Sequence, residues 1–238
     1  MIGGDFLPND FILFGLTLTD PTDFIYDIIM GLLSLYFAFK IKSLSDNNKF
    51  SIAWHRFFFV FGWAALFAAF GHLFYNYYFY FGKLIGWILI PFSIFWIEVA
   101  MIEAHWNQKT ITRAKKLYRM KLLLVYLVFM SIWVSVDVLN KPHLLFLPIA
   151  INSILGLLIG VGVFSYQFKK KISASFATIF FGIAIIFPSA FIFIFKINIH
   201  QWFSKNDFSH ILMIIGIIFF YLGVKKILKE DHGFLKIK

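Results

Sequence analysis

Two histidines and a scatter of aspartates are the residues of this chain whose types and spacing could do chemistry. Asp207 and His210 are three apart at the head of the last long apolar run, Asn206-Asp-Phe-Ser-His210, so on a helix they share a face. Asp23 and Asp27, four apart near the head of the first apolar run, share one as well. His72 closes the second run, in Gly71-His-Leu-Phe-Tyr-Asn76. Together His72, Asp207 and His210 form a 2-His-1-carboxylate set, which binds a divalent cation and leaves positions open for water. Asp27 or Asp137 would position that water or a second cation. Asp207 also has a plainer reading as a helix N-terminal carboxylate, and Asp20, Thr22 or Asp23 as a cap for the first helix.

These residues have to be held by membrane-spanning helices. Hydrophobic residues make up 61% of the 238 and charged residues 14%, a balance that excludes a water-soluble domain of this size. Runs of apolar residues long enough to span a bilayer fall at 24–42, 52–75, 84–104, 118–139, 144–167, 174–196 and 207–225. The fold expected is all-α: one polytopic domain over residues 1–238, a seven-transmembrane-helix bundle. The first twenty or so residues mix Phe6, Leu7, Phe11, Ile12, Leu13 and Phe14 with Asp5, Pro8 and Asp10, and read as an interfacial cap. The N-terminus lacks the basic flank of a cleavable signal, so the first span is expected to direct its own insertion.

Of the 22 Lys and Arg residues, 18 fall in the loops and helix ends on one side, Lys236 and Lys238 among them; only Lys83, Lys141, Lys196 and Lys205 fall on the other. The positive-inside rule therefore puts the N-terminus outside and the C-terminus in the cytoplasm. On that topology His72, Asp137, Asn140, His143, His200, Asp207 and His210 all gather at the outer face. The net charge of +10 then reflects topology, and nucleic-acid binding is excluded because the basic residues sit in short juxtamembrane loops. The partners expected are membrane lipids, one of them a substrate.

Further polar residues lie deeper. Glu98, Glu103 and His105 end the third span, with Arg56 as the partner expected for Glu98; Asn152 and Ser153 are expected to make interhelical hydrogen bonds. Gly156, Gly160, Gly162 and Gly182 read as close-packing positions, and Pro188 as a kink in the sixth span. Lipid-facing surface accounts for the 34 Phe, and Trp202, Tyr75, Tyr77, Tyr78 and Tyr80 suit an outer aromatic belt. The chain has no cysteine, hence no disulfide or thiolate site. It also has no His-Glu-x-x-His, phosphate-binding Gly loop, nucleophile elbow or lysine within the seventh span.

The outer constellation resembles that of the seven-helix membrane hydrolases that include the alkaline ceramidases and adiponectin-type receptors, with this chain as a divergent bacterial multipass member. His72 matches the family's zinc-binding His near the end of helix 2, and His210 the second His of its helix 7 pair. The acidic stretch from Asp20 through Asp23 to Asp27 resembles the ceramidases' calcium-binding segment. The resemblance implies zinc, calcium at those aspartates, hydrolysis of a lipid amide or ester near the outer face, and a bacterial plasma-membrane location. The sequence departs from the pattern at three positions: Asn206 stands where the first helix 7 His belongs, Ala68 replaces the helix 2 Ser, and no acid occurs between His72 and Glu98. Two other functions stay open. One is a non-enzymatic receptor-like protein or assembly factor; the other is a transmembrane b-type cytochrome using His55, His72, His105 and His210.

Overall fold

A β-hairpin leads into the first helix. In the computed structural model, which describes residues 10–44, 48–137, 141–200 and 202–230, β1 (Asp10–Leu13) pairs antiparallel with β2 (Leu16–Thr19). The expected interfacial cap is thus a two-stranded hairpin where it is described; its first nine residues lie outside the described residues, as do Asn140, Lys236 and Lys238. Asp20 then turns the chain with a positive φ of 46°, a conformation Asp tolerates better than most residues. Its carbonyl accepts the Phe24 N–H at 3.2 Å, and Pro21 opens α1 (Pro21–Leu44).

The remaining helices follow with local stop and start signals. The Asn48 side chain accepts the Ser51 N–H at 2.8 Å and so caps α2 (Lys49–Leu73). A short α3 (Tyr75–Tyr78) and a 3₁₀ turn (Phe79–Lys83) lead to α4 (Leu84–Glu103). Asn107 caps α5 (Gln108–Ser135) by accepting the Lys109 and Thr110 N–H groups. Next come α6 (Pro142–Leu155), a π-helical stretch (Gly156–Val163), α7 (Phe164–Lys171), α8 (Phe176–Ile194) and α9 (Lys205–Lys229).

The molecule is a helical integral membrane protein. Among the described residues six helical stretches are long and apolar enough to cross a membrane: α1, α2, Tyr75–Glu103, α5, His143–Lys171 and α9. Each of the seven stretches expected from sequence falls on a helix. The sixth, however, is a shorter apolar helix, Phe176–Ile192, with Pro188 inside it. In cross-section α1, α2, α4, the π stretch with α7, α8 and α9 follow one another around a ring, and α9 returns to α1. α5 sits outside that ring against α4 and α6.

Close approaches fix the ring. A Cβ on Gly31 would come within 3.0 Å of the Gly62 carbonyl oxygen, so α1 and α2 touch backbone to backbone; Gly182 and Gly216 do the same for α8 and α9. The interior is aromatic: Phe37, Phe50, Trp54, Phe57, Phe58, Phe176 and Phe220 are all buried. Phenylalanine here therefore fills the core as well as facing lipid.

Three expectations for the deeper polar residues need correction. Glu98 pairs with Lys121 of α5 at 2.5 Å, whereas Arg56 lies 4.4 Å over the ring of Trp96. Lys121 was obscured because it belongs to a peripheral helix that only the fold brings to α4. Gly160 makes room for this carboxylate, since a Cβ there would meet Glu98 Cγ at 2.7 Å. Buried Asn152 makes no side-chain hydrogen bond, and Ser153 donates to Ile149 of its own helix at 2.8 Å.

Candidate metal centre

Three helices meet at one end of the ring. α1 brings Asp23 and Asp27, one turn apart and each only 2% exposed. α2 ends with His72, and α9 begins with Asn206, Asp207 and His210. The Gly31–Gly62 crossing lies one turn inside Asp27, which holds the two aspartates close to the end of α2.

Both imidazoles address both carboxylates. His72 Nδ1 lies 3.3 Å from Asp23 Oδ2, and its Nε2 lies 4.0 Å from Asp27 Oδ2. His210 Nδ1 lies 4.0 Å from Asp23 Oδ1, and its Nε2 lies 3.6 Å from Asp27 Oδ1. The rings stand nearly perpendicular, at 86°, with centroids 6.4 Å apart. Asn206 Nδ2 donates to Asp23 Oδ2 at 3.0 Å. Asn206 thus touches the carboxylate that a histidine in its place would also reach.

Lys83, which sequence reasoning counted only as an outer-side charge, belongs to this cluster. Its Nζ lies 3.1 Å from His72 Nδ1. The approach depends on a glycine pair: a Cβ on Gly71 would sit 2.7 Å from the Gly82 backbone, so α2 and the 3₁₀ turn touch directly beside the two residues. The pairs Gly71-His72 and Gly82-Lys83 were the available signal, a small residue before each functional one. His72 Nδ1 faces an ammonium on one side and a carboxylate on the other. A single nitrogen cannot accept from the first and donate to the second at once.

Asp207 caps its helix with one oxygen, and its other, Oδ1, is buried without a hydrogen-bond partner. Its Oδ2 accepts the Ser204 N–H at 2.6 Å while Ser204 Oγ accepts the Asn206 N–H at 3.1 Å, a capping box at the head of α9. Asp137 is exposed just beyond the end of α5, the helix that packs outside the ring. Other described histidines are engaged elsewhere: His55 Nδ1 lies 2.9 Å from the Ala38 carbonyl oxygen of α1, and the Nδ1 atoms of His105 and His200 accept the N–H groups of Asn107 and Trp202. His143 is exposed.

The donor set fits a cation. Asp23 Oδ1, Asp27 Oδ2 and His210 Nδ1 are buried and have no hydrogen-bond partner, an expensive condition that an ion among them would relieve. Ligand atoms of Asp20, Asp23 and His72 lie within 4.8 Å of one another. His210 lies outside that group; counted with it, two imidazoles and carboxylates are donor types that suit a borderline ion such as zinc. Calcium prefers six to eight oxygens.

A family model described as a family of unknown function, DUF6962, matches residues 22–229. The chain belongs to the DUF6962 family. No curated protein and no solved structure matches it. The DUF6962 match contains Asp23, Asp27, His72, Lys83, Asn206 and His210, whereas the hairpin lies before it.

Proposed function

We propose that this membrane protein is a metal-dependent hydrolase of a lipid amide or ester, with its centre at the outer face of a bacterial plasma membrane. The observation that carries this reading is the convergence of Asp23, Asp27, His72 and His210 from three helices with three buried polar atoms left unpartnered. The likeness to the ceramidase and adiponectin-receptor superfamily supports it at His72 and His210. The excess of basic residues at the opposite end of the helices supports the outward orientation.

Zinc held by His72, His210 and Asp23 would supply a polarised carbonyl and an activated water. Asn206 fixes Asp23 by donating to its Oδ2. Asp27 Oδ2, buried and without a hydrogen-bond partner, is the atom placed to take a proton from a water in the cluster. Lys83 balances the two carboxylates and offers a donor toward an oxyanion.

Metal analysis of protein purified without chelators tests the reading. About one zinc per chain is expected for the native protein, with loss of most of it in His72→Ala and His210→Ala. Asp27→Asn is expected to keep the metal and to lose turnover of fluorogenic lipid amides and esters by about a hundredfold or more, the usual worth of a positioned general base. Native protein free of any transition metal would exclude the proposal.

A further inference from the structure

The hairpin presents an apolar edge that the fold does not use. From Phe11 to Thr19 it carries no charged side chain. At its tip Ile12 is 77% exposed and Phe14 94% exposed, with Leu13 and Leu16 exposed beside them. Phe14 and Gly15 both have positive φ, 51° and 78°, as a two-residue type I′ turn requires. Asn or Gly occupies such a first position without penalty, whereas a bulky aromatic is strained there. A strained side chain that is almost fully exposed among the described residues points to a role outside the packed helices.

The hairpin is also held in one place. Thr17 N–H donates to the Tyr77 hydroxyl at 3.0 Å, and Asn76 Nδ2 donates to Asp10 Oδ1 at 3.1 Å. Asp10 Oδ1 accepts Thr19 Oγ1 as well, at 2.9 Å, closing the open end of the ladder. Four residues per strand carry the tip about 13 Å from its base. The base joins α1 directly at Asp20. α1 in turn exposes Ile25, Ile29 and Leu32, and Phe79 and Phe81, close to Tyr77 in sequence, are exposed too.

We infer that the hairpin is a membrane anchor whose tip, centred on Phe14, is inserted into the lipid leaflet on the side of the Asp–His cluster. The partner is the headgroup and acyl boundary of that leaflet, since the edge is apolar, uncharged and joined directly to α1. This inference stands whether or not the cluster is catalytic.

The absence of cysteine makes the test direct. Single variants Phe14→Cys and Ile12→Cys, labelled with a nitroxide in the full chain and reconstituted into phosphatidylcholine–phosphatidylglycerol vesicles, are compared with Leu123→Cys, on the exposed face of α5, and Lys141→Cys, at an exposed helix end. Labels at 12 and 14 are expected to collide with oxygen several-fold more, relative to a water-soluble nickel chelate, than the label at 141, and to approach the label at 123. A ratio at 14 equal to that at 141 would overturn the anchor. So would strong spin–spin broadening at 14 that persists on dilution in lipid, which would mean that a second copy covers the tip. Phe14→Trp, which keeps an aromatic at the tip, is read beside them by fluorescence; absence of quenching beyond that of the native chain from lipids brominated near the headgroup would count against the anchor equally.

Discussion

Replacing Lys83 by Met should make the protein dependent on metal for its stability. Lys83 Nζ lies 3.1 Å from His72 Nδ1, the nitrogen that also faces Asp23, so the ammonium stands where a cation bound to that nitrogen would feel it. Adding a metal–nitrogen bond of about 2 Å to that contact puts an ion roughly 5 Å from Nζ. At an effective dielectric of about 20, a divalent ion and a unit charge at that distance repel by roughly 6–7 kcal/mol. If relaxation and screening remove three-quarters of this, about 1.6 kcal/mol remains, which tightens metal binding more than about tenfold. Without metal the same substitution leaves two buried carboxylates short of a counter-charge, a loss of about 3 kcal/mol, or a melting point lower by about 6–12 °C. Zinc at a hundred times its Kd restores about 2.7 kcal/mol. Thermal unfolding in detergent with and without zinc, alongside calorimetric titration, reads both effects. Should zinc raise the melting point of Lys83→Met no more than that of the native chain, the Lys83 ammonium does not oppose a cation at His72 Nδ1.

Asp207→Ala should lower stability by about 1 kcal/mol, the usual worth of a helix cap, with the zinc content unchanged; loss of zinc would make Asp207 a ligand instead. Gly160→Ala forces a methyl to within 2.7 Å of Glu98 Cγ and should cost about 1–3 kcal/mol, seen as a lower melting temperature. Lys121→Met should destabilise by about 2–3 kcal/mol, reduced from a fully buried pair because Lys121 is partly exposed, and adding Glu98→Gln should recover most of the loss. A double variant no more stable than Lys121→Met alone would show that the ion pair is not what α5 contributes there.

The all-helical membrane bundle and the gathering of His72, His210 and the first-helix aspartates at one end were legible in the sequence, because a bilayer restricts elements to long apolar runs and fixes the depth of each polar residue along them; of the seven spans expected, six are helices long enough to cross and the sixth in order is shorter. What depth does not give is the angle around each helix. For that reason Asp23 read as a cap or a calcium ligand, although it lies at the centre of the contacts to His72, His210 and Asn206. Lys83 was hidden because its role depends on a backbone contact, Gly71 against Gly82, that no periodicity encodes. The same gap paired Glu98 with Arg56 when the true partner came from a helix outside the ring. Asp207 was legible in both its readings, and the capping box shows the one its Oδ2 serves. The hairpin was blurred because four-residue strands carry too little alternation to stand out beside 20-residue spans.

The position of α5 bears on how such a chain diverges. Its contacts with the rest of the molecule are specific: the Lys121–Glu98 and Lys115–Glu103 pairs, buried Ile111, Tyr118 against the main core, the Tyr126 hydroxyl donating to the Ile88 carbonyl at 2.6 Å with its ring against Phe92, and Phe129 and Trp133 in the small cluster around Tyr80. The other face, including Leu117, Leu123, Leu124, Leu127 and Val134, is exposed. Any apolar side chain serves there equally well, so members of the family should drift freely in sequence along that face while retaining these attachment points. Divergence mapped onto the helices would then trace the outline of the lipid-facing wall, and the ring around the aspartates and histidines would stand out as the part that changes least.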